Sequence, residues 1–304
     1  MESKRKMREE YRKERNGYYH FCTDGLKGGL LFNHEAEYAF GMLLMGIISI
    51  KFALKIYAFE LMPNHIHIIL SGTGANCVSA FDYLKRKLSA RLVRDGYPPL
   101  PEDYWFKLVK IGTEEQMRQE IAYLLRNPPE KGLGTSACYP WGTGWLYHSG
   151  IPAFLEGKPV KEMSKRCVEK LVSGEEMLPS EWRIHPRLGL LPDSFVDTTL
   201  VHRLFPTPKD LQTALVKDYE AYFQTATRLG ELAEFNKKEV DDIVGQVLQK
   251  RFDGKPLNSL TEGDKGKLAI ILHRYYGLSP LQISTSILVR LKTIQQWFHS
   301  KELK

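Results

Sequence analysis

Two runs rich in β-branched and aromatic residues meet at a tight break: Lys51–Met62, then Pro63-Asn64, then His65–Leu70. Pro and Asn favour a turn and the flanking residues favour strands, so the stretch predicts strand, turn, strand. Around it the signals alternate. Tyr18–Thr23 reads as a strand and Glu35–Ile48 as a buried helix. A helix from about Cys77 to Arg94 carries an apolar stripe of Phe81, Leu84, Leu88 and Leu92. Tyr104–Ile111 is a further strand, and Thr113 with Gln116 forms a capping box opening a helix that Pro128-Pro129 should end. Antiparallel strands covered by helices predict an α+β fold of ferredoxin-like type over 17–150.

Outside that span the texture changes. Residues 1–16 hold seven basic and four acidic residues, which suits a solvated, partly frayed terminus or a DNA-contacting arm. Residues 151–207 are punctuated by Pro, Gly and Lys and read as a connector packed on the first domain. From Pro208 the signals are helical to the end, with breaks at Gly254-Lys255-Pro256 and Gly277–Pro280, giving a helical domain over 208–304. At 43% hydrophobic and 26% charged, the 304-residue chain is of ordinary globular composition, which excludes disordered and fibrous classes. Its longest apolar run, Tyr38–Ile50, has 13 residues. That is well short of the ~20 needed to span a bilayer, so no membrane partner is expected. The absence of a secretory pattern and the scattered cysteines Cys22, Cys77, Cys138 and Cys167, with no CxxC pair, point to a reducing cytoplasmic setting.

The chemistry is concentrated in two places. His65 and His67 flank Ile66, and because a strand has a side-chain period of two, their imidazoles project from one face. Ile66, Ile68 and Leu70 then point into a core. Such a pair suits two ligands of one divalent metal, or two half-buried histidines satisfied by hydrogen bonds. A cupin-type site would need a Glu shortly after the pair, where this chain has Leu70, Ser71 and Gly72. In the helix opened by Thr113 the apolar stripe is Met117, Ile121, Leu124 and Leu125. At ~100° per residue, Tyr123 lies roughly 145° and Asn127 roughly 105° from its centre. They are i,i+4 neighbours on a face that the stripe does not use. Tyr123 is there either a surface residue or a positioned reagent, and the Asn127 amide could offer a metal its oxygen.

Taken in order, Met62-Pro63-Asn64-His65-Ile66-His67, Tyr123-Leu-Leu-Arg-Asn127-Pro128, Lys131-Gly132-Leu133 and Tyr139-Pro140-Trp141 resemble the single-tyrosine His-hydrophobe-His (HUH) transposases. The closer likeness is to the branch of REP-associated tyrosine transposases, over roughly Gly17 to Trp145. The resemblance implies a ferredoxin-like palm, His65 and His67 as metal ligands, Tyr123 as nucleophile and Asn127 as third ligand, where other branches carry Gln. Tyr139 is the alternative nucleophile. Pro129 and Gly142-Thr143-Gly144 depart from the family pattern, and the segment around Trp105 follows it loosely.

A tyrosine of ordinary pKa near ~10 is a weak nucleophile at neutral pH. Mg²⁺ or Mn²⁺ is therefore the expected cofactor, polarising the scissile phosphate and stabilising the leaving oxygen. Imidazole donors would take Mn²⁺ more readily than Mg²⁺. Attack by Tyr123 would give a 5′-phosphotyrosine and a free 3′-OH, and a second 3′-OH could reverse the step.

Charge supplies the partner. Forty-three Lys and Arg against 36 Asp and Glu leave a net +7. Lys85, Arg86, Lys87, Arg91 and Arg94 crowd one helix with no acid between Tyr83 and Arg94, forming either a solvated face or a phosphate track. Over 260–304, Leu268–Tyr276, a Gly277-containing break, a short helix and Leu291–Ser300 suit a helix-turn-helix, packed by Ile287, Leu291, Ile294 and Trp297. It would present Arg290, Lys292, Gln295 and Gln296 to duplex DNA. The expectation is a metal-dependent endonuclease and transposase acting on single-stranded, hairpin-forming DNA. Single strands follow from the need for a splayed phosphate, and the hairpin follows from the resemblance alone. The rivals are a catalytically silent, sequence-specific DNA-binding regulator on the same palm and an unrelated metal hydrolase.

Overall fold

Strand β1 (Gly17–Thr23) sets the architecture because it pairs on both sides, antiparallel to β3 (His65–Gly72) and to β4 (Phe106–Ile111). With β2 (Lys55–Met62) on the outer flank of β3, the computed structural model holds a four-stranded antiparallel sheet in the order β2-β3-β1-β4. It describes residues 2–25, 30–148, 156–172, 177–216, 225–226, 228–229, 237–276 and 278–299. Helix α2 (Glu35–Lys51) joins β1 to β2, Pro63-Asn64 joins β2 to β3, and α3 (Gly74–Arg94) joins β3 to β4. The α+β expectation therefore stands as an antiparallel sheet with helices in a β-α-β-β-α-β path.

The sheet has two unlike faces. Phe21 and Tyr19 pair with Ile68 and Leu70, and with Ile66 they form an apolar face that is buried throughout. Helix α3 covers it: the Phe21 ring lies 6.4 Å from Phe81 and 4.8 Å from Phe106. Burying each such ring contributes about 1.5–3 kcal/mol. On the other face stand His20, Cys22, Glu60, His65 and His67, through the pairings Cys22↔His67, Glu60↔His67 and Met62↔His65. A half-polar face can be buried only under a helix that answers it, and α4 (Glu114–Glu130) is that helix.

Thr113 caps α4, accepting from the Gln116 N–H at 3.1 Å, while the Gln116 carboxamide accepts from Gly112 rather than from Thr113 itself. The prolines do not end the helix, as their sequence position suggested. Pro128 and Pro129 lie in its last turn, where they forgo only two backbone bonds, and α4 runs on to Glu130. Gly132 stops it in a left-handed conformation (φ +71°), with the Leu133 N–H reaching back to the Pro128 carbonyl at 2.9 Å.

The N-terminus is helical rather than frayed. Residues Glu2–Lys13 form α1, packed on α3, with the Tyr11 ring 5.4 Å from Phe106. Two of its basic residues meet acids elsewhere in the fold, Arg8 at Asp82 and Lys4 at Asp103, while Glu14 just beyond α1 takes Lys110.

After α5 (Gly144–His148), the described part of 151–207 forms a second sheet of β5 (Lys158–Pro159), β6 (Arg183–His185) and β7 (Gly189–Leu190). Helix α6 (Lys165–Val172) lies between β5 and β6. Trp182, Ile184, Leu190 and Leu191 from this region join the main core, and Phe195 stacks on Phe59 at 5.8 Å. Helices α7 (Thr199–Leu204) and α8 (Pro208–Val216) pack on α4. Two compact units result, Met1–Lys217 and Asp218–Lys304, so α8 belongs with the sheet rather than with the helical domain that the sequence opens at Pro208.

The second unit contains α9 (Lys237–Arg251), α10 (Glu262–Tyr276), α11 (Pro280–Ile287) and α12 (Leu291–His299). Ser279 and Gln282 form a capping box on α11. Ile287 and Ile294 are buried as expected, but Leu291 is 36% exposed and Phe298 takes its place in the core. Gly277 lies outside the described residues. Among the described residues no helix is long and apolar enough to cross a membrane, and no disulfide joins the four cysteines.

The docking of α1 depends on Gly74. Its N–H donates to the Glu14 carbonyl at 3.0 Å, and a Cβ there would stand 1.8 Å from the Tyr11 carbonyl oxygen. Gly74→Ala should lower stability by about 1–3 kcal/mol in urea titration, a cost of the overpacking kind. An unchanged midpoint would show that α1 does not dock there.

Candidate functional site

The polar sheet face and α4 build the site between them. Glu120, Tyr123 and Asn127 follow one another at three- and four-residue intervals, so they share a helix face. That face was expected to lie away from the core. Instead all three are at most 2% exposed, because α4 is covered by the sheet on one side and by α7 and α8 on another. Arg118 and Arg126 tie it to the second layer through the carbonyls of Leu204 and Leu215.

Beneath α4 a chain of polar side chains crosses the sheet. Glu120 Oε2 lies 2.7 Å from His20 Nδ1, and His20 Nε2 lies 3.0 Å from His67 Nδ1. His67 Nε2 stands 2.9 Å from His65 Nε2, and His65 Nδ1 stands 2.7 Å from Asn64 Oδ1. The far end is anchored, because Asn64 donates from its amide nitrogen to the Gly25 carbonyl at 2.7 Å. Its oxygen must therefore face His65 and accept, so His65 donates from Nδ1 and its Nε2 carries a lone pair. Tyr123 lies over this row, its ring centroid 5.8 Å from His67 and 6.1 Å from His20.

Tyr123, more than 50 positions from His65 and His67 in sequence, is thus brought to the histidine row. Asn127 lies one turn along α4 from Tyr123, and its amide donates to the Tyr123 carbonyl at 3.2 Å, a bond inside the helix. Its Oδ1 is the atom that a cation could use. Tyr139 is not placed for attack: it is buried, its hydroxyl donates to the Leu61 carbonyl at 2.5 Å, and burial pushes its pKa far above the ordinary tyrosine value.

Two cis donors ~2.1 Å from one octahedral ion stand ~3.0 Å apart, so the histidine pair fits a divalent metal. Among the described residues no three of His, Cys, Asp and Glu are grouped to hold one. Further donors must then be oxygens of another kind: an amide, water or a phosphate.

The basic candidates lie elsewhere. Helix α3 packs on the apolar face, so Lys85, Arg86, Lys87, Arg91 and Arg94 are on the opposite side of the sheet from His67 and Tyr123. Lys85 donates to the carbonyls of Glu102 and Tyr104, Arg86 and Lys87 lie over the Tyr83 ring, and Arg91 and Arg94 pair with Asp95. Arg290, Lys292, Gln295 and Gln296 are exposed in the second unit.

Three site residues carry no motif. His20 is a lone histidine in β1, with nothing in its neighbours to mark it. Glu120 was findable, since it precedes Tyr123 by one helical turn on the same face. Glu60, the cross-strand partner of His67, is fully buried with neither carboxylate oxygen in a hydrogen bond of normal geometry. A Cβ at Gly142 would lie 1.9 Å from its Oε2, so only glycine admits the carboxyl. Burial raises Glu60 well above the ordinary glutamate value of 4.5, while nearby N–H groups of Gly144 and Thr143 pull it down.

No family model matches this chain, and no curated protein matches it. Among solved structures, a REP-associated tyrosine transposase bound to a REP hairpin is similar over 42% of this chain and 77% of that one. At 16% identity and a TM-score of 0.34, the likeness is too slight to carry an argument.

Glu60 generates a pH prediction. Its folded-state value is raised, so the folded chain keeps a proton that the unfolded chain has already released, and stability falls as pH rises above about 4.5. Glu60→Gln should therefore be more stable than the wild type at neutral pH and equal to it near pH 4. Thermal midpoints taken from about pH 4 to about pH 8 should diverge upward. Parallel curves would contradict the burial of an unpaired acid.

Proposed function

We propose that this chain is a metal-dependent DNA transesterase that cleaves and rejoins single-stranded, hairpin-forming DNA through Tyr123. The observation that carries the reading is the placement of the Tyr123 ring 5.8 Å from the His67 ring, with His67 Nε2 in turn 2.9 Å from His65 Nε2. The order of motifs along the chain supports the same reaction class.

Tyr123 Oη attacks the phosphorus and loses its proton, the P–O3′ bond breaks, and the leaving oxygen takes up a proton as a free 3′-OH. The 5′-phosphate remains on Tyr123. A returning 3′-OH reverses the exchange and rejoins the strand without ATP, because one phosphodiester has been traded for another. His65 and His67 would hold Mn²⁺ or Mg²⁺, with Asn127 Oδ1 as a further donor, and the ion would supply charge stabilisation at the phosphate. The protein's own part is to fix Tyr123 on a rigid helix, to present two nitrogens from a rigid strand, and to keep water away from the phosphotyrosine.

The basic strip on α3 faces away from this site, so its proposed role is to dock a hairpin stem at a distance from the cleaved phosphate. Arg290, Lys292, Gln295 and Gln296 would contact duplex DNA independently. One observation favours a second reading. Tyr123 is only 2% exposed, which suits a palm retained as a silent DNA-binding regulator. The transesterase requires the site to open and admit a phosphodiester.

The test uses Mn²⁺ and 3′-labelled single-stranded oligonucleotides bearing the palindromes that flank the gene. Wild-type protein should shift the label on denaturing gels. Tyr123→Phe should lose the shifted band while binding the hairpin within a few-fold, and retained cleavage would refute the nucleophile. His67→Ala should lose metal-dependent cleavage with its circular dichroism unchanged. Hairpin binding with no adduct under any metal would favour the regulator.

A further inference from the structure

We propose that Glu120, acting through His20, sets the tautomer of His67 and so turns the Nε2 lone pair of His67 toward that of His65. The inference rests on the metal-binding reading of the pair, and adds to it two positioning residues that no motif marks.

Both ends of the buried row accept hydrogen bonds. At one end the Glu120 carboxylate accepts from His20 Nδ1 at 2.7 Å. A neutral His20 then has a lone pair on Nε2, which can only accept from His67 Nδ1–H at 3.0 Å. His67 is left with its lone pair on Nε2. At the other end Asn64 imposes the same state on His65. The two lone pairs therefore face each other at 2.9 Å, a contact that is repulsive unless a cation lies between or beside them.

The arrangement cannot relax by rotation. Glu120, His20 and His67 are all 0% exposed, so a turned ring would bury an unpaired polar atom. Glu120 also lies one turn before Tyr123 on α4, so the helix that delivers the nucleophile delivers the carboxylate that orients the ligand. Replacing the carboxylate by an amide lets the NH₂ group donate to His20 Nδ1. The row then reverses, leaving a proton on His67 Nε2 where the metal should sit.

The full-length chain with ¹⁵N-labelled histidine tests this by NMR at a pH where the imidazoles are neutral. Wild-type His67 should carry its proton on Nδ1, and Glu120→Gln should shift it wholly or partly to Nε2. Mn²⁺ affinity, measured by titration with the metal alone, should fall 10–100-fold in Glu120→Gln, the usual effect of losing an outer-shell partner. A wild-type His67 protonated on Nε2 would overturn the inference, and this holds even if the variant fails to fold. Unchanged tautomer and unchanged Mn²⁺ affinity in a folded Glu120→Gln would also overturn it. A wild type with the expected tautomer but no Mn²⁺ binding would instead refute the metal reading and leave the tautomer assignment standing.

Discussion

Burying three imidazoles and a carboxylate under one helix is expensive unless every polar atom is answered. That requirement links the sheet register, the capping of α4 and the second layer of α7 and α8. His20 and His67 share a face because β1 pairs with β3 as Cys22↔His67 and His20↔Ile69. A slip of β1 by one residue would turn His20 into the phenylalanine core and Phe21 toward α4, breaking the row. The same register that builds the apolar core therefore also builds the polar row.

The two faces divide the work. The face under α3 is a stability layer of stacked rings and aliphatics, and it places the strands rigidly. The face under α4 gives up part of its hydrophobic burial to hold titratable groups at short, directed contacts. Glu60 shows the cost most plainly, as a buried acid admitted only because position 142 is glycine. The basic residues of α3 stand on the stability side, so charge and chemistry come from opposite faces of one sheet.

Much of this was legible locally. The period of two in β3 places His65 and His67 side by side, and the i,i+4 spacing groups Tyr123 with Asn127. Thr113 marks the start of α4. What the pattern could not give was tertiary. A helix whose polar face covers another polar face looks, in one dimension, like a solvent-exposed helix, so Tyr123 read as lying off the core. The Pro128-Pro129 pair read as a stop because the tolerance of prolines in a last turn depends on the Gly132 cap beyond it. The N-terminus read as frayed because Asp82, Asp103 and Lys110, which meet Arg8, Lys4 and Glu14, lie far away in sequence. His20 had no local signature at all.

The central claim is that His65 and His67 hold one cation beneath Tyr123. Anomalous diffraction at the manganese edge from crystals grown with Mn²⁺ tests it most directly. The account predicts a peak within bonding distance of both Nε2 atoms, on the side of the pair that faces α4. Manganese bound elsewhere, with the two imidazoles still in contact and no peak beside them, would contradict it.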